Sequence, residues 1–136
     1  MDIIKLKGED RQLYNLIAHL VMKEEVLSYN LNYSYKTSPE YRWFVATNEG
    51  NILGFIPVKL KEGKAIINNY FIANDESTVL STLLKEVIQD LWPDFEVESV
   101  TQIRHIPLFE QNGFVTIFQW KRYVKMKVVS NEKKRL

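Results

Sequence analysis

The chain of 136 residues contains no cysteine. Disulfides, thiolate zinc ligands and thiol nucleophiles are therefore excluded. Nothing in it calls for an oxidising compartment, so a cytoplasmic location is expected. Glycine and proline are scarce, at five and four residues, and they mark single turns rather than a linker or low-complexity tract. No apolar run approaches the roughly 20 residues needed to cross a membrane. The opening stretch "MDIIKLKGED" has no apolar core and carries acids early, so it does not read as a signal peptide. No metal is expected.

What is present is ordinary for a soluble globular protein: 46% apolar and 26% charged residues. The length suits one domain able to bury a core without staples. A single domain is expected over residues 1–129, followed by a basic, disordered tail over 130–136. The formal net charge is only +1, but it is unevenly spread. From Lys121 onward seven Lys or Arg face one acid, Glu132, so the preceding residues carry a net −5. Such an end can attract nucleic acid or anionic lipid. These charges are not interleaved with a stacking platform of aromatic rings, so nucleic acid is not the expected partner, and neither is a membrane. They read instead as a lysine-protected edge strand and a solvated end.

"DIIKLK" alternates as a short first strand, broken by Gly8. Asp10 then caps a helical stretch over 11–28, in one piece or two, whose apolar stripe runs Leu13, Leu16, Ile17, Leu20, Val21, Leu27. "SYNLNYSYKTSPE" reads as a loop. "YRWFVAT" and "ILGFIPVKL" form two strands around the tight turn Asn48–Asn51. Gly54 suggests a bulge or a close backbone approach, and Pro57 an irregular position. "AIINNYFIA" (65–73) completes the meander and reads as a central strand covered on both faces, with Asn68 and Asn69 facing opposite sides. Val79, Leu80, Leu83, Leu84, Val87, Ile88 and Leu91 form the stripe of a long helix that Pro93 stops. Asp75 and Glu76 fall in its first turn, where acids cap a helix and complement its dipole. "FEVESVTQI" is a strand, and Pro107 opens a short helix that Gly113 closes. "FVTIFQWKRYVKMKVV" is one long β segment or two joined by a bend. It offers a strand that could pair across a two-fold axis as a homodimer. The fold class is α/β (α+β): a single mixed, mostly antiparallel sheet with helices on both faces. The unit over 65–103 should be a right-handed parallel crossover.

This order resembles the GNAT superfamily of acetyl-CoA-dependent N-acetyltransferases over nearly the whole chain. The stretches that carry the resemblance are "GNILGFIPVKL", "LLKEVI" (Leu83–Ile88) and "PLFEQNGF" (Pro107–Phe114). It implies an acyl-CoA N-acyltransferase-like fold, acetyl-CoA or CoA as cofactor, and a small-molecule amine or protein as acceptor. The cofactor would lie along Phe71, Ile72 and Ala73 and over the helix start at Ser77, Thr78, Val79 and Leu80, with Phe109 beside it. In the family that helix opens with Arg/Gln-x-x-Gly-x-Gly/Ala, whose amides face the pyrophosphate. Here Asp75, Thr78 and Leu80 stand at the three positions, so the motif is degenerate. A carboxylate about 4 Å from a phosphate charge costs roughly 4 kcal/mol at an effective dielectric near 20.

The tyrosine that many family members carry as general acid in the short helix is replaced by Phe109, which has no proton to give. Asn69 and His105 are the remaining catalytic candidates: an asparagine can orient a water, and a histidine can transfer a proton. Tyr29, Tyr33 and Tyr35, with Asn68, are the candidates for the acceptor side; loop packing is the plainer reading of the tyrosines. Two functions follow. One is an acyl-CoA-dependent N-acyltransferase. The other is a catalytically inactive module of the same fold that binds a small ligand or a protein, favoured by Asp75, Glu76, Leu80 and Phe109.

Overall fold

The structure, a computed structural model, describes residues 1–129; the tail expected over 130–136 lies outside the described residues. Eight strands and four helices follow in order: β1 (Asp2–Lys7), α1 (Arg11–Ile17), α2 (Glu24–Ser28), β2 (Tyr41–Asn48), β3 (Asn51–Lys61), β4 (Lys64–Ile67), β5 (Phe71–Ile72), α3 (Ser77–Leu91), β6 (Glu96–Gln102), α4 (Ile106–Gln111), β7 (Phe114–Gln119) and β8 (Tyr123–Val128). They build one sheet in the order β1-β2-β3-β4-β6-β8-β7, with β5 paired to β3. Every pairing is antiparallel except β4 with β6. Among the described residues no helix is long and apolar enough to cross a membrane.

Two cores lie on the two faces of the sheet. On one, α3 buries Val79, Leu80, Leu83, Leu84, Val87 and Leu91 against Phe44, Ile56, Val58 and Ile67. At about 1.5–3 kcal/mol for each fully buried large apolar side chain, this stripe holds α3 far more firmly than its intrinsic propensity could. On the other face Leu13 and Ile17 of α1 and Val26 of α2 cover Trp43, Val45 and Phe55. Asp10 caps α1 as its sequence position suggests, accepting from the Gln12 amide at 2.8 Å.

Two expectations are corrected and one is narrowed. The segment 65–73 is not one strand. β4 pairs β3 only from Val58↔Ile67 onward, and β5 pairs it at Phe55↔Phe71 and Gly54↔Ile72. Ile56 and Pro57 are thus opposed by three residues, Asn68, Asn69 and Tyr70, which bulge out of the ladder. Pro57 lies in the stretch of β3 that neither β4 nor β5 pairs, where a missing N–H costs least. Gly54 permits the close approach of β5: a Cβ there would stand 2.7 Å from the Phe71 carbonyl oxygen.

Secondly, of the two forms expected of the C-terminal segment, one long strand is ruled out and two strands joined by a bend are what is found. They form a hairpin in which β8 enters the sheet beside β6 and leaves β7 at the edge. Thirdly, the acids do not sit inside the first turn of α3. The helix begins at Ser77, Asp75 belongs to a 3-10 turn (Ala73–Asp75), and no side chain caps the helix start. Asn74 and Asp75 both take positive φ, 56° and 52°, which turns the Asp75 side chain away from the helix.

Candidate functional site

The parallel pair β4/β6 runs from Lys64↔Glu96 to Ile67↔Ser99 and ends there. Beyond it the bulge carries the chain towards β3, while β6 continues to Gln102. A crevice at the carboxyl ends of parallel strands is where α/β sheets place their ligands. Here it is flanked by two turns, 73–76 before α3 and 103–105 before α4.

Tyr70 fills the crevice. Its ring is fully buried, 5.9 Å from that of Phe109. Its carbonyl, which the bulge removes from the ladder, accepts a hydrogen bond from Asn30 Nδ2 at 2.7 Å. Asn30 is itself buried and also donates to the Tyr35 hydroxyl at 2.7 Å. The Tyr70 hydroxyl meets His105 Nδ1 at 2.6 Å, and His105 Nε2 meets Asp75 Oδ1 at 2.8 Å. Tyr29 donates to the same carboxylate oxygen at 2.5 Å. Arg104 donates to both oxygens of that carboxylate, through Nε to Oδ2 at 2.9 Å and through Nη2 to Oδ1 at 3.3 Å, and lies over the Tyr29 ring at 5.0 Å. A second contact of Arg104 runs to the Gln102 side chain.

The charges are mutually determined. Partial burial alone would raise the Asp75 carboxyl, but the bonds from Arg104, Tyr29 and His105 overcome it and hold it well below the usual carboxylate range. Burial lowers His105, only partly offset by Asp75. An ionised carboxylate can only accept, so His105 carries its proton on Nε2. A neutral ring then presents a lone pair at Nδ1, and the Tyr70 hydroxyl donates to it. Burial pushes the Tyr70 phenol far above its ordinary value, so it stays protonated at any physiological pH. Asp75, His105 and Tyr70 thus form a chain whose donors all point outward, from the floor of the crevice to the carboxylate.

On the opposite face of the sheet a cavity of about 400 Å³ opens at the bulge, with Asn68, Asn69, Tyr33, Tyr41, Lys36 and Trp120 in its wall. Asn68 and Asn69, expected on opposite sides, both face it, because they lie in the bulge and not in a pleated strand. Asn69 Nδ2 donates to the Ser34 carbonyl at 3.1 Å. Of the tyrosines around this loop, Tyr33 and Tyr41 reach the cavity. Tyr35 packs on Phe55 and donates to the Val26 carbonyl, and Tyr29 belongs to the Asp75 cluster.

The proposed cofactor residues divide similarly. Ser77 and Thr78 are exposed at the start of α3, and Phe71 and Ala73 are half-buried. Ile72, Val79, Leu80 and Phe109 are core. The first bond within α3 is Leu80 N–H to the Glu76 carbonyl at 3.2 Å, so the amides of Ser77, Thr78 and Val79 lie ahead of it, as the first donors of any helix do. His105 precedes α4 without capping it.

Neither a protein-family model nor, at significance, a curated protein matches the sequence. Solved structures do match. ElaA of Escherichia coli superposes with a TM-score of 0.71 at 14% identity, over 95% of this chain and 100% of its own. An acyl-CoA N-acyltransferase from Pseudomonas aeruginosa gives 0.65 at 16%, over 95% and 100%. The PaiA N-acetyltransferase of Thermoplasma acidophilum, solved in complex with coenzyme A, gives 0.63 at 16%, over 96% and 100%. The chain has the GNAT fold. Its mixed sheet, with one parallel pair diverging at a bulge, is the acyl-CoA N-acyltransferase architecture.

Within the GNAT fold, sequence reasoning missed Tyr70, Asn30, Gln102 and Arg104. The signal for Tyr70 was present: "NNY" interrupts an apolar strand opposite Gly54 and Pro57, and three such irregularities at one height mark a bulge. Arg104 had none, since its partner lies 29 residues away.

Proposed function

We propose that the protein is an acyl-CoA-dependent N-acyltransferase that acylates an amine held in the cavity beside Asn68 and Asn69. One observation carries this reading. The crevice between diverging β4 and β6 has a helix start that no side chain caps on one face, a cavity on the other, and a protonated phenol between them.

The residues fit the cofactor better than the sequence motif does. The amides of Ser77, Thr78 and Val79 would hold the pyrophosphate, as helix starts hold anions generally. Asp75, whose charge argued against this, is answered by Arg104. Acyl-CoA, when bound, supplies a thioester-activated acyl group. The chain supplies the rest. The open-ended pair β4/β6 positions the two reactants from opposite faces. To protonate the departing thiolate, the part that Phe109 cannot play, the Tyr70 hydroxyl would have to turn from His105 Nδ1, and the proton lost by the acylated amine would return to the phenolate. Phe109 packs the ring of Tyr70 in place.

A second reading is favoured by one feature. Asp75, Arg104 and His105 tie together the two turns that flank the crevice, and Tyr29 lies against them. A non-catalytic module of the GNAT fold would keep such a tie permanently closed.

Calorimetric titration with acetyl-CoA at low and physiological salt separates the two. Micromolar binding, followed by thiol release in the presence of an amine, supports the enzyme; no binding at millimolar ligand overturns it. Within the enzyme reading, Tyr70→Phe should lower kcat by at least about a hundredfold, the lower end for a lost general acid, while CoA affinity stays within about twofold.

A further inference from the structure

The cavity beside the bulge has a chemical character of its own. Tyr33, Tyr41, Trp120 and Tyr123 bring four aromatic rings to its wall, and Val100 and Pro57 form part of its floor. Beside the hydroxyls and indole N–H of these rings, its polar groups among the described residues are the Asn68 and Asn69 amides, Ser34 and the cation of Lys36. Among the described residues no Asp or Glu lines it. An adjoining hollow of about 280 Å³ shares Tyr123 and adds Arg104, Lys121 and Arg122, again without an acid in its wall. Burial and, second to it, the exposed Glu40 next in sequence raise the Tyr41 phenol, but Glu40 is not part of the wall. Two other nearby acids are committed elsewhere. Glu98, on β6 two residues before Val100, holds Lys64 at 3.1 Å and Lys125 at 3.6 Å. Asp75 answers Arg104 and His105.

A cationic amine with several charges would find Lys36 in the wall and the exposed Glu40 outside it, and like charges at close quarters work against it. A flat apolar body finds rings to stack on. An anionic group finds Lys36, with Arg122 and Lys121 beyond Tyr123. We propose that the cavity takes a small aromatic amine that also bears a carboxylate, an aromatic amino acid or a close analogue, and turns polyamines away. The inference rests on the acyltransferase reading for the fate of the amine; the ligand class itself is read from the cavity wall.

The test is direct binding to the full-length protein, followed by calorimetry and by amide chemical shifts of Asn68 and Asn69. The probes are phenylalanine, phenethylamine, which lacks the carboxylate, and spermidine. Phenylalanine should bind at least about tenfold more tightly than either of the others, the factor that about 1.4 kcal/mol supplies. Lys36 is exposed, so its variants should fold, which a thermal melt checks. Lys36→Ala should weaken phenylalanine about tenfold, and Lys36→Glu should reverse its preference over phenethylamine. Spermidine or phenethylamine binding as tightly as phenylalanine, an unchanged order in Lys36→Glu, or no binding of phenylalanine would each overturn the proposal. Thiol release from acetyl-CoA with the same amines separates the two inferences. Turnover with spermidine alone sinks the ligand class and leaves the enzyme. Phenylalanine binding without any binding of CoA leaves the ligand class and sinks the enzyme.

Discussion

Replacing Asp75 by alanine removes the acceptor for three side chains, but their losses are unequal. His105 is 7% exposed, so its Nε2–H is stranded away from water, at about 1–3 kcal/mol. The Asp75 and Arg104 side chains are 42% and 49% exposed, and a screened pair of that kind contributes only about 0–1 kcal/mol. The Tyr29 hydroxyl, half-buried and 3.5 Å from His105 Nε2, can move into that bond and recover part of the loss. The total is about 1–4 kcal/mol. At ~2.1 cal/mol/K of unfolding entropy per residue, a domain of this size has an entropy near ~0.27 kcal/mol/K, so the Tm should fall by about 4–14 °C at pH 7.5. Asp75→Asn keeps an oxygen for His105 and should lose only about 1 kcal/mol, or about 4 °C.

The pH dependence sharpens this prediction. In the fold, burial lowers His105 below its ordinary 6.5 and Asp75 pulls it partly back. The folded parent therefore binds fewer protons at this site than the unfolded chain, and its stability falls as the pH drops through 6.5. Without Asp75 the ring is harder still to protonate, so the alanine variant loses stability faster over the same interval. The gap between parent and variant should widen below pH 6.5. It should then close as the pH falls below 3.8, the ordinary value of the carboxyl whose folded value lies lower. Thermal melts of the three proteins from pH 8 to 3 read both effects. An alanine variant within about 2 °C of the parent at pH 7.5, or a gap that narrows between pH 6.5 and 5, would refute the assignment of this chain of hydrogen bonds.

Gly54→Ala should lower stability by about 1–3 kcal/mol, because the Phe71 carbonyl at 2.7 Å and Ile72 Cδ1 at 3.0 Å leave no room for a methyl and a paired strand cannot yield cheaply. Denaturant melts should show the loss together with weaker CoA binding; an unchanged midpoint would mean that β5 is free to move. Phe109→Tyr, which restores the phenol expected in the short helix, should destabilise by about 1–3 kcal/mol, because Phe109 is fully buried against Tyr70 and Phe114 and a new hydroxyl finds no water there. A gain in turnover from that substitution, without loss of stability, would show that the place of the proton donor had been misjudged.

The parts legible in the sequence are those decided by neighbours along the chain. The stripe of α3 repeats at helical spacing, the Glu49–Gly50 turn announces its hairpin, and Gly54 and Pro57 signal irregularity on their own. The centre of the site is decided otherwise. An apolar run such as 65–73 satisfies a straight strand as well as a broken one, and only its pairing with β3 distinguishes them. Asp75 reads as a helix-capping acid because a cap is local; Arg104 and His105 reach it only once β4 and β6 lie side by side. The electrostatic objection raised by Asp75 treats it as an isolated carboxylate; the sequence does not show that Arg104 stands 2.9 Å from it.

The bulge at 68–70 also acts on parity. In a pleated strand residues an odd number apart face opposite sides, so Ile67 and Tyr70 should point away from each other. With one extra residue between them they share a face, and Ile72 joins them in the core beneath α3. Deleting either Asn68 or Asn69 would leave two residues opposite Ile56 and Pro57 and restore an unbroken ladder, with Tyr70 and Ile72 still on the face of Ile67. What the deletion would remove is the parting of the strand itself, which frees the Tyr70 carbonyl for Asn30 and sets both asparagines in the cavity wall. Removing both would leave one residue for two places and throw Tyr70 to Ile72 onto the other face, so the rule of counting here is that one may go and two may not.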